Sequence, residues 1–367
     1  MTDPLFFFGA GSSARFGIPT MKEMVRQFKE ELSKQSGKDS EEEVQLYAGV
    51  EQVLREDFDR VDLEAVFSVI YGIAGGLTPK ELGYLATFFV RRARDPTLFN
   101  PPQSEIQNAA RRLLGKFQDF VKRVCWVKRD VLNDIMATYV DFFSTIKRTM
   151  GGYSEPVTYN GTTYPFDPNW QMFTTNYDNV LEVFFRGGAA QLSPNISLNT
   201  GFDYDRRSQS HILNPVRFLE PNGLKLVKLH GSVTWWVEKG SWAVVEEKQP
   251  PSSAYLPGEY GEQVMLYPIE QKDTFVPPYL NMFYSLAEGL RQSKKWLVIG
   301  YSFADDILRA MFARSSMPDT VLTLVHPDDN VAKKVREEPG WKGQIRQILT
   351  KFGDPQTSTA AARALTG

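Results

Sequence analysis

Leu5-Phe6-Phe7-Phe8 is an unbroken apolar run that stops abruptly at Gly9-Ala10-Gly11-Ser12-Ser13-Ala14. A strand with no polar face must be covered on both sides, as in a parallel sheet held between helices. Further strand signals appear at Trp170–Thr175, Leu224–Leu229, Val264–Tyr267, Trp296–Ile299 and Val321–Val325. Helical patterns lie between several of these, at 177–186, 275–291, 304–315 and 329–338. Strands alternating with helices predict an α/β fold built on a doubly wound parallel sheet. Almost nothing from 20 to 150 reads as strand; helical spacing recurs at 44–58, 62–73, 79–92, 104–125 and 128–149, with a solvated, charge-rich stretch from Glu30 to Glu43. The expected organisation is a discontinuous core (1–19 and 160–350), a large helical insertion or lobe (20–159) and a flexible C-terminal tail (351–367) of small and polar residues. Residues 187–223 and 238–262 read as loops.

Composition removes several classes of function. Lys and Arg total 42 against 44 Asp and Glu, a formal net charge of -2, so the chain carries no strong direct nucleic-acid signal. The only cysteine is Cys125, which excludes an intramolecular disulfide and any multi-cysteine zinc site, and reads as a buried small hydrophobe. With three dispersed histidines, no metal site is expected. No apolar stretch approaches the roughly 20 residues needed to span a bilayer, and the opening residues lack a signal-peptide pattern. A cytoplasmic protein without membrane contact is expected.

The turn after the first strand has the G-x-G-x-x-G/A form of a dinucleotide fingerprint, in the strand–turn–helix context that a Rossmann-like core requires. Glycines there allow a tight turn and close approach of a pyrophosphate, whose charge would sit at a helix N-terminus. A Gly-rich turn with no ligand is the alternative. One feature departs from a dehydrogenase: no second strand ending in an acidic residue follows about 20 positions later.

Four stretches, in order, resemble the motifs of the sirtuin superfamily. Gly9-Ala10-Gly11-Ser12-Ser13-Ala14-Arg15-Phe16-Gly17-Ile18-Pro19 resembles its opening G-A-G-x-S-x-x-x-G-I-P. Thr175-Asn176-Tyr177-Asp178 looks like T-x-N-x-D, and His230-Gly231 like its H-G pair. Gly300-Tyr301-Ser302-Phe303-Ala304-Asp305 is similar to the G-x-S loop, in the G-Y-S-x-x-D form of a bacterial sirtuin-like branch. The resemblance covers residues 5–19 and about 165–330. Deacylases of the superfamily continue G-I-P with D-F-R and carry a four-cysteine zinc ribbon; here Pro19 precedes Thr20-Met21-Lys22, and one cysteine cannot build the ribbon. The zinc-free branch, known from anti-phage defence, hydrolyses NAD itself and is the closer match.

The resemblance implies NAD as substrate, with Asn176 and His230 at the reacting centre. An amide can hold a ribose hydroxyl or water by donating and accepting, and an imidazole can act as a base near neutral pH. Asp178 would orient a ribose hydroxyl or fix its loop. Ser13 and Arg15 would serve the pyrophosphate side with Gly9, Ala10, Gly11 and Ser12, while Ser302 and Asp305 would serve the adenosine end. Pro19, Thr175, Gly300 and His326 complete the expected NAD-contacting set, His326 lining the adenine pocket. Structural readings stand beside these: a strand-end cap for His230, a turn for Asn176, an N-cap for Asp178, a solvated charge for Arg15, a helix-capping turn for Ser302 and Asp305, and a structural His326. NAD hydrolysis in an antiviral effector is the expected function. A protein deacylase or ADP-ribosyltransferase and a non-catalytic NAD or ADP-ribose-binding scaffold are the alternatives. Control through a homo-oligomer or a DNA translocase or helicase partner is expected, because unrestrained NAD hydrolysis would poison its own host.

Overall fold

The computed structural model describes residues 3–58, 63–75, 88, 91–92, 103–150, 157–159, 162–164, 170–185, 198–206, 210–220, 224–237, 243–246, 263–265 and 278–366. The chain divides into two compact units: Met1–Ile18, Trp126–Met265 and Thr274–Gly367 form the first, Pro19–Cys125 and Leu266–Asp273 the second. The helix Leu132–Thr149, read from sequence with the helical lobe, belongs to the first unit.

In chain order the strands are β1 (Leu5–Phe8), β2 (Val157–Tyr159), β3 (Thr162–Tyr164), β4 (Gln171–Thr174), β5 (Leu198–Asn199), β6 (Phe202–Asp205) and β7 (Ser210–Leu213). They continue with β8 (Leu224–Lys228), β9 (Gly231–Val237), β10 (Val244–Glu246), β11 (Gln263–Met265), β12 (Lys295–Ile299), β13 (Val321–Val325) and β14 (Gln344–Ile348). Seven form one sheet in the order β14-β13-β12-β1-β4-β8-β5, every neighbouring pair parallel. This is the doubly wound α/β sheet of a Rossmann-like core. The chain leaves β1 for β4 on one side and later crosses to β12 on the other. The carboxyl ends of β1, β4 and β12 therefore form the topological switch point, where open α/β sheets bind ligands.

Alternation along β1 explains why every one of its residues is apolar. Phe6 and Phe8 pack on the helix Leu132–Thr149, with ring centroids 5.5 Å from Phe6 to Phe143 and 6.0 Å from Phe8 to Tyr139. Phe7 points the other way, 5.2 Å from Phe312 of the helix Asp306–Ser315. Both sheet faces are thus covered, and the strand is buried throughout.

Several expectations are corrected. The segment read as Val264–Tyr267 contributes β11 to a separate five-stranded antiparallel sheet, in the order β11-β9-β10-β7-β6. Stretches read as loops supply β5, β6, β7 and β10, and the polar edge strand β14 was not foreseen. The tail expected to be flexible forms a helix, Thr357–Thr366, because its small residues allow close packing: Ala361, Ala362 and Leu365 are buried. Lys295 Nζ and Arg346 donate to the carbonyls of Leu365 and Ala364, capping its last turn. The expected helix 79–92 lies outside the described residues except for 88, 91 and 92, which are helical.

The second unit contains the helices Met21–Leu32, Lys38–Phe58, Leu63–Ala74 and Gln103–Cys125. Thr20 and Glu23 open the first of these with a capping box, the Thr20 amide donating to the Glu23 carboxylate at 2.7 Å. Phe28 lies 5.3–5.7 Å from the rings of Phe67, Phe117 and Phe120 at the core. The charge-rich stretch is less solvated than expected: Glu43 is fully buried, with Arg112 Nε 2.9 Å away. Among the described residues no helix is long and apolar enough to cross a membrane.

Candidate active site

Five loops at the carboxyl ends of the parallel strands carry the predicted residues: Gly9–Arg15 after β1, Thr175–Asp178 after β4, His230 after β8, Gly300–Asp305 after β12 and His326 after β13. The turn after β1 is locked onto the loop after β12. Gly9 N donates to Ile299 O at 2.8 Å and Gly11 N to Gly300 O at 2.9 Å. Gly300 has a left-handed backbone, φ 64°, and a Cβ there would lie 2.4 Å from Ser12 N and 2.5 Å from Gly11 C. The glycines are thus required by backbone meeting backbone, before any ligand is considered. The expected helix N-terminus is corrected too. The turn continues as two short 3-10 segments, Ala10–Ser12 and Ala14–Phe16, and the amides of Gly9, Gly11, Ser12 and Ser13 all donate to main-chain carbonyls.

Asn176 joins this turn to the end of β4. It is 8% exposed, and its backbone amide donates to Thr174 Oγ1 at 3.0 Å. Its side-chain nitrogen lies 3.1 Å from Gly9 O and 3.1 Å from Ser13 Oγ. A carbonyl can only accept, so Gly9 fixes which end of the amide is nitrogen. The donating end is therefore committed to the protein. Among the described residues nothing donates to Asn176 Oδ1, which leaves an oriented acceptor rather than the donor-and-acceptor group expected from sequence.

Behind Asn176 lies a buried ionic cluster. Asp178 Oδ1 accepts from Val180 N at 3.0 Å, the capping contact that was its structural reading. Lys228 Nζ sits 2.6 Å from Glu182 Oε1, donates to the Asp178 carbonyl, and lies 3.4 Å from the Tyr177 carbonyl. Ser232 Oγ adds a bond to Glu182 Oε1 at 3.1 Å. Burial pushes the Asp178 carboxyl up to about 6, against the opposing pull of Lys228 and the Val180 amide. The folded chain then holds this proton to higher pH than the unfolded chain. The carboxyl's cost to stability is absent below about pH 4, grows to about pH 6 and is constant above. A shift of this size corresponds to roughly 2–3 kcal/mol. Asp178→Asn should therefore gain stability relative to the unsubstituted chain between pH 4 and 6, read by thermal melts. A stability difference independent of pH would show that the fold does not desolvate this carboxylate.

His230 is 7% exposed, and its Nε2 stands 3.4 Å from Asp305 Oδ2. The Tyr177 ring lies alongside, 6.2 Å between centroids. Asp305 was expected at the adenosine end. The structure places it against the imidazole, because it begins the helix Asp306–Ser315: its Oδ1 accepts from Ile307 N at 3.0 Å and Leu308 N at 3.2 Å. The capping reading of Asp305 is therefore part of its geometry.

Other predicted residues are not brought into this cluster. The guanidinium of Arg15, expected on a pyrophosphate, is held 3.0 Å from Asp134 and 2.5 Å from the Gly353 carbonyl. Pro19 begins the second unit, one residue before the helix-capping Thr20. Thr175 donates its amide to Phe8 O at 3.3 Å, and Ser302 is exposed. His326 Nδ1 takes the amide of Asp328 at 3.0 Å in a local turn, and burial lowers its imidazole below the ordinary value. Lys228, Glu182, Ser232 and Thr174 were missed. The available signal was a lysine between the apolar Val227 and Leu229 and a glutamate inside Val180-Leu181-Glu182-Val183-Phe184, since charges in such positions need buried partners. Among the described residues no group of three or more His, Cys, Asp or Glu is placed to hold a metal ion.

Residues 171–342 match the family model of the SIR2-like domain, the stretch that runs from β4 to the residues just before β14. This stretch of the chain is thus similar to the SIR2-like domain. No curated protein matches the sequence. Among solved structures it is similar to a Sir2 homolog in complex with NAD, at 14% identity and a TM-score of 0.42, over 98% of this chain and 88% of that one. It is also similar to a mutant Sir2 homologue in complex with 2'-O-acetyl ADP ribose, at 13% identity and a TM-score of 0.42, over 99% and 92%.

Proposed function

We propose that this chain hydrolyses NAD at the nicotinamide–ribose bond, giving nicotinamide and ADP-ribose. The observation that carries the reading is the presence, at the carboxyl ends of β4 and β8, of an oriented acceptor, Asn176 Oδ1, and an imidazole, His230. The motifs shared with the sirtuin superfamily support it. Nicotinamide departs as a neutral group, taking the electron pair of its bond to C1′, so no strong general acid is needed. Asn176 accepts from a ribose hydroxyl or from the attacking water and orients it at the oxocarbenium-like centre. Water then bonds to C1′, and its proton passes to His230.

Hydrolysis rather than transfer to an acylated protein is favoured by the single cysteine, which cannot build the zinc ribbon that walls an acyl-lysine cleft. Purified protein should release nicotinamide from NAD without an acylated acceptor, and Asn176→Ala and His230→Ala should each lower the rate by on the order of 100-fold or more. Release only with an acylated peptide would replace this reading with deacylation. NAD binding without release in any condition would replace it with a scaffold. As an antiviral effector, the chain should deplete cellular NAD during phage infection, and Asn176→Ala cells should retain it.

A further inference from the structure

We propose that Asp305 is a positioning residue for His230, holding the imidazole in place and stabilising its protonated form as water attacks; this rests on the hydrolase reading above. The two Asp305 oxygens have separate tasks. Oδ1 is held by the amides of Ile307 and Leu308 at the helix N-terminus, while Oδ2 faces His230 Nε2 at 3.4 Å, within ion-pair reach of a protonated imidazole but without hydrogen-bond geometry. Both side chains are about 90% buried, at 9% and 10% exposure, so water screens the pair little. A carboxylate facing an imidazole in this way favours its protonated form and, once the ring is protonated, can hold its orientation.

The loop carrying the carboxylate is itself fixed. Phe303 is fully buried with φ 52°, a left-handed conformation that a bulky residue adopts only under constraint from its surroundings. Its ring packs 4.9 Å from Tyr301 and 5.2 Å from Phe312, and its carbonyl accepts from Arg309 at 3.0 Å. Arg309 is in turn paired with Asp306 at 2.9 Å and Glu338 at 2.5 Å. Among the described residues, other ionisable groups on the elements meeting here are Tyr177, Tyr301, Asp306, Arg309, Arg314, Lys225 and the Asp178, Lys228 and Glu182 cluster. Lys228 closes on Glu182, and Arg309 on its two carboxylates.

Asp305→Asn separates the two tasks, because asparagine also caps a helix well but carries no charge. The variant should keep its melting temperature and its NAD affinity by calorimetry, while kcat falls at least tenfold. The imidazole's proton affinity should drop by about one pH unit or more once the facing charge is gone. The rising limb of the kcat–pH profile should move to lower pH accordingly. Asp305→Glu should recover part of the rate. NMR titration of the three histidines, with His230 assigned from the His230→Asn spectrum, reads the same shift without turnover. An unchanged His230 titration in Asp305→Asn overturns the proposal whether or not the chain hydrolyses NAD. A shifted titration in a chain that never releases nicotinamide upholds the pairing and sinks the hydrolase reading alone.

Discussion

Lys228→Met is expected to cost about 3–5 kcal/mol of stability, the penalty for leaving a buried charge without its partner. Lys228 and Glu182 are 3% and 2% exposed, and their 2.6 Å contact has almost no solvent around it. The lysine also donates to the main-chain carbonyls of Tyr177 and Asp178, so its loss releases the segment that aims Asn176. Among the described residues Glu182 would keep only the Ser232 hydroxyl, and none donates to its Oε2. Urea unfolding gives the stability change from the midpoint at constant slope. The double variant Lys228→Met, Glu182→Met should recover most of the loss, because two apolar side chains of similar volume leave no charge to desolvate. A single-variant cost below about 1 kcal/mol would mean that water reaches this pair.

Gly300→Ala should be nearly as damaging, for a reason of shape rather than charge. An alanine at φ 64° costs about 1–2 kcal/mol from its left-handed backbone alone. Its Cβ would meet Ser12 N at 2.4 Å and Gly11 C at 2.5 Å, main-chain atoms that cannot rotate away. Relief requires the turn after β1 and the loop after β12 to separate, adding about 1–3 kcal/mol of overpacking. That movement breaks the Gly11–Gly300 hydrogen bond and shifts Gly9, whose carbonyl fixes Asn176. Any folded Gly300→Ala protein should therefore lose at least tenfold in nicotinamide release. Ser302→Ala, two residues on with an exposed side chain, should change stability by no more than about 0.5 kcal/mol. Equal stability of Gly300→Ala and the parent would contradict the close approach of the two loops.

The sequence made the sheet legible where strands are buried on both faces. Leu5–Phe8 and Trp296–Ile299 are uninterrupted apolar runs, Val321–Val325 is broken only by Thr323, and all three lie in strands of the parallel sheet. It failed where strands are short or half-exposed. Ser210–Leu213 is intermediate in exposure throughout, and Gln344–Ile348 is an edge strand with no fully buried residue, so neither leaves a periodic apolar trace. The final helix was misread for a related reason. Thr357–Thr366 is made of small residues whose stability comes from packing, a contribution that composition does not record.

The amino-acid sequence by itself determined the parallel core, the loops that leave it, and the residue types that bear chemistry, because burial period and turn chemistry are local properties. Only the tertiary structure decided what those residues touch. Asn176 meets Gly9 across 167 positions, Arg15 is claimed by Asp134 across 119, and Asp305 turns from an expected adenosine contact into the partner of His230. Such pairings depend on which strand ends the winding of the sheet brings together, and hydrogen bonds and Coulomb forces act over a few ångströms of space whatever the separation along the chain.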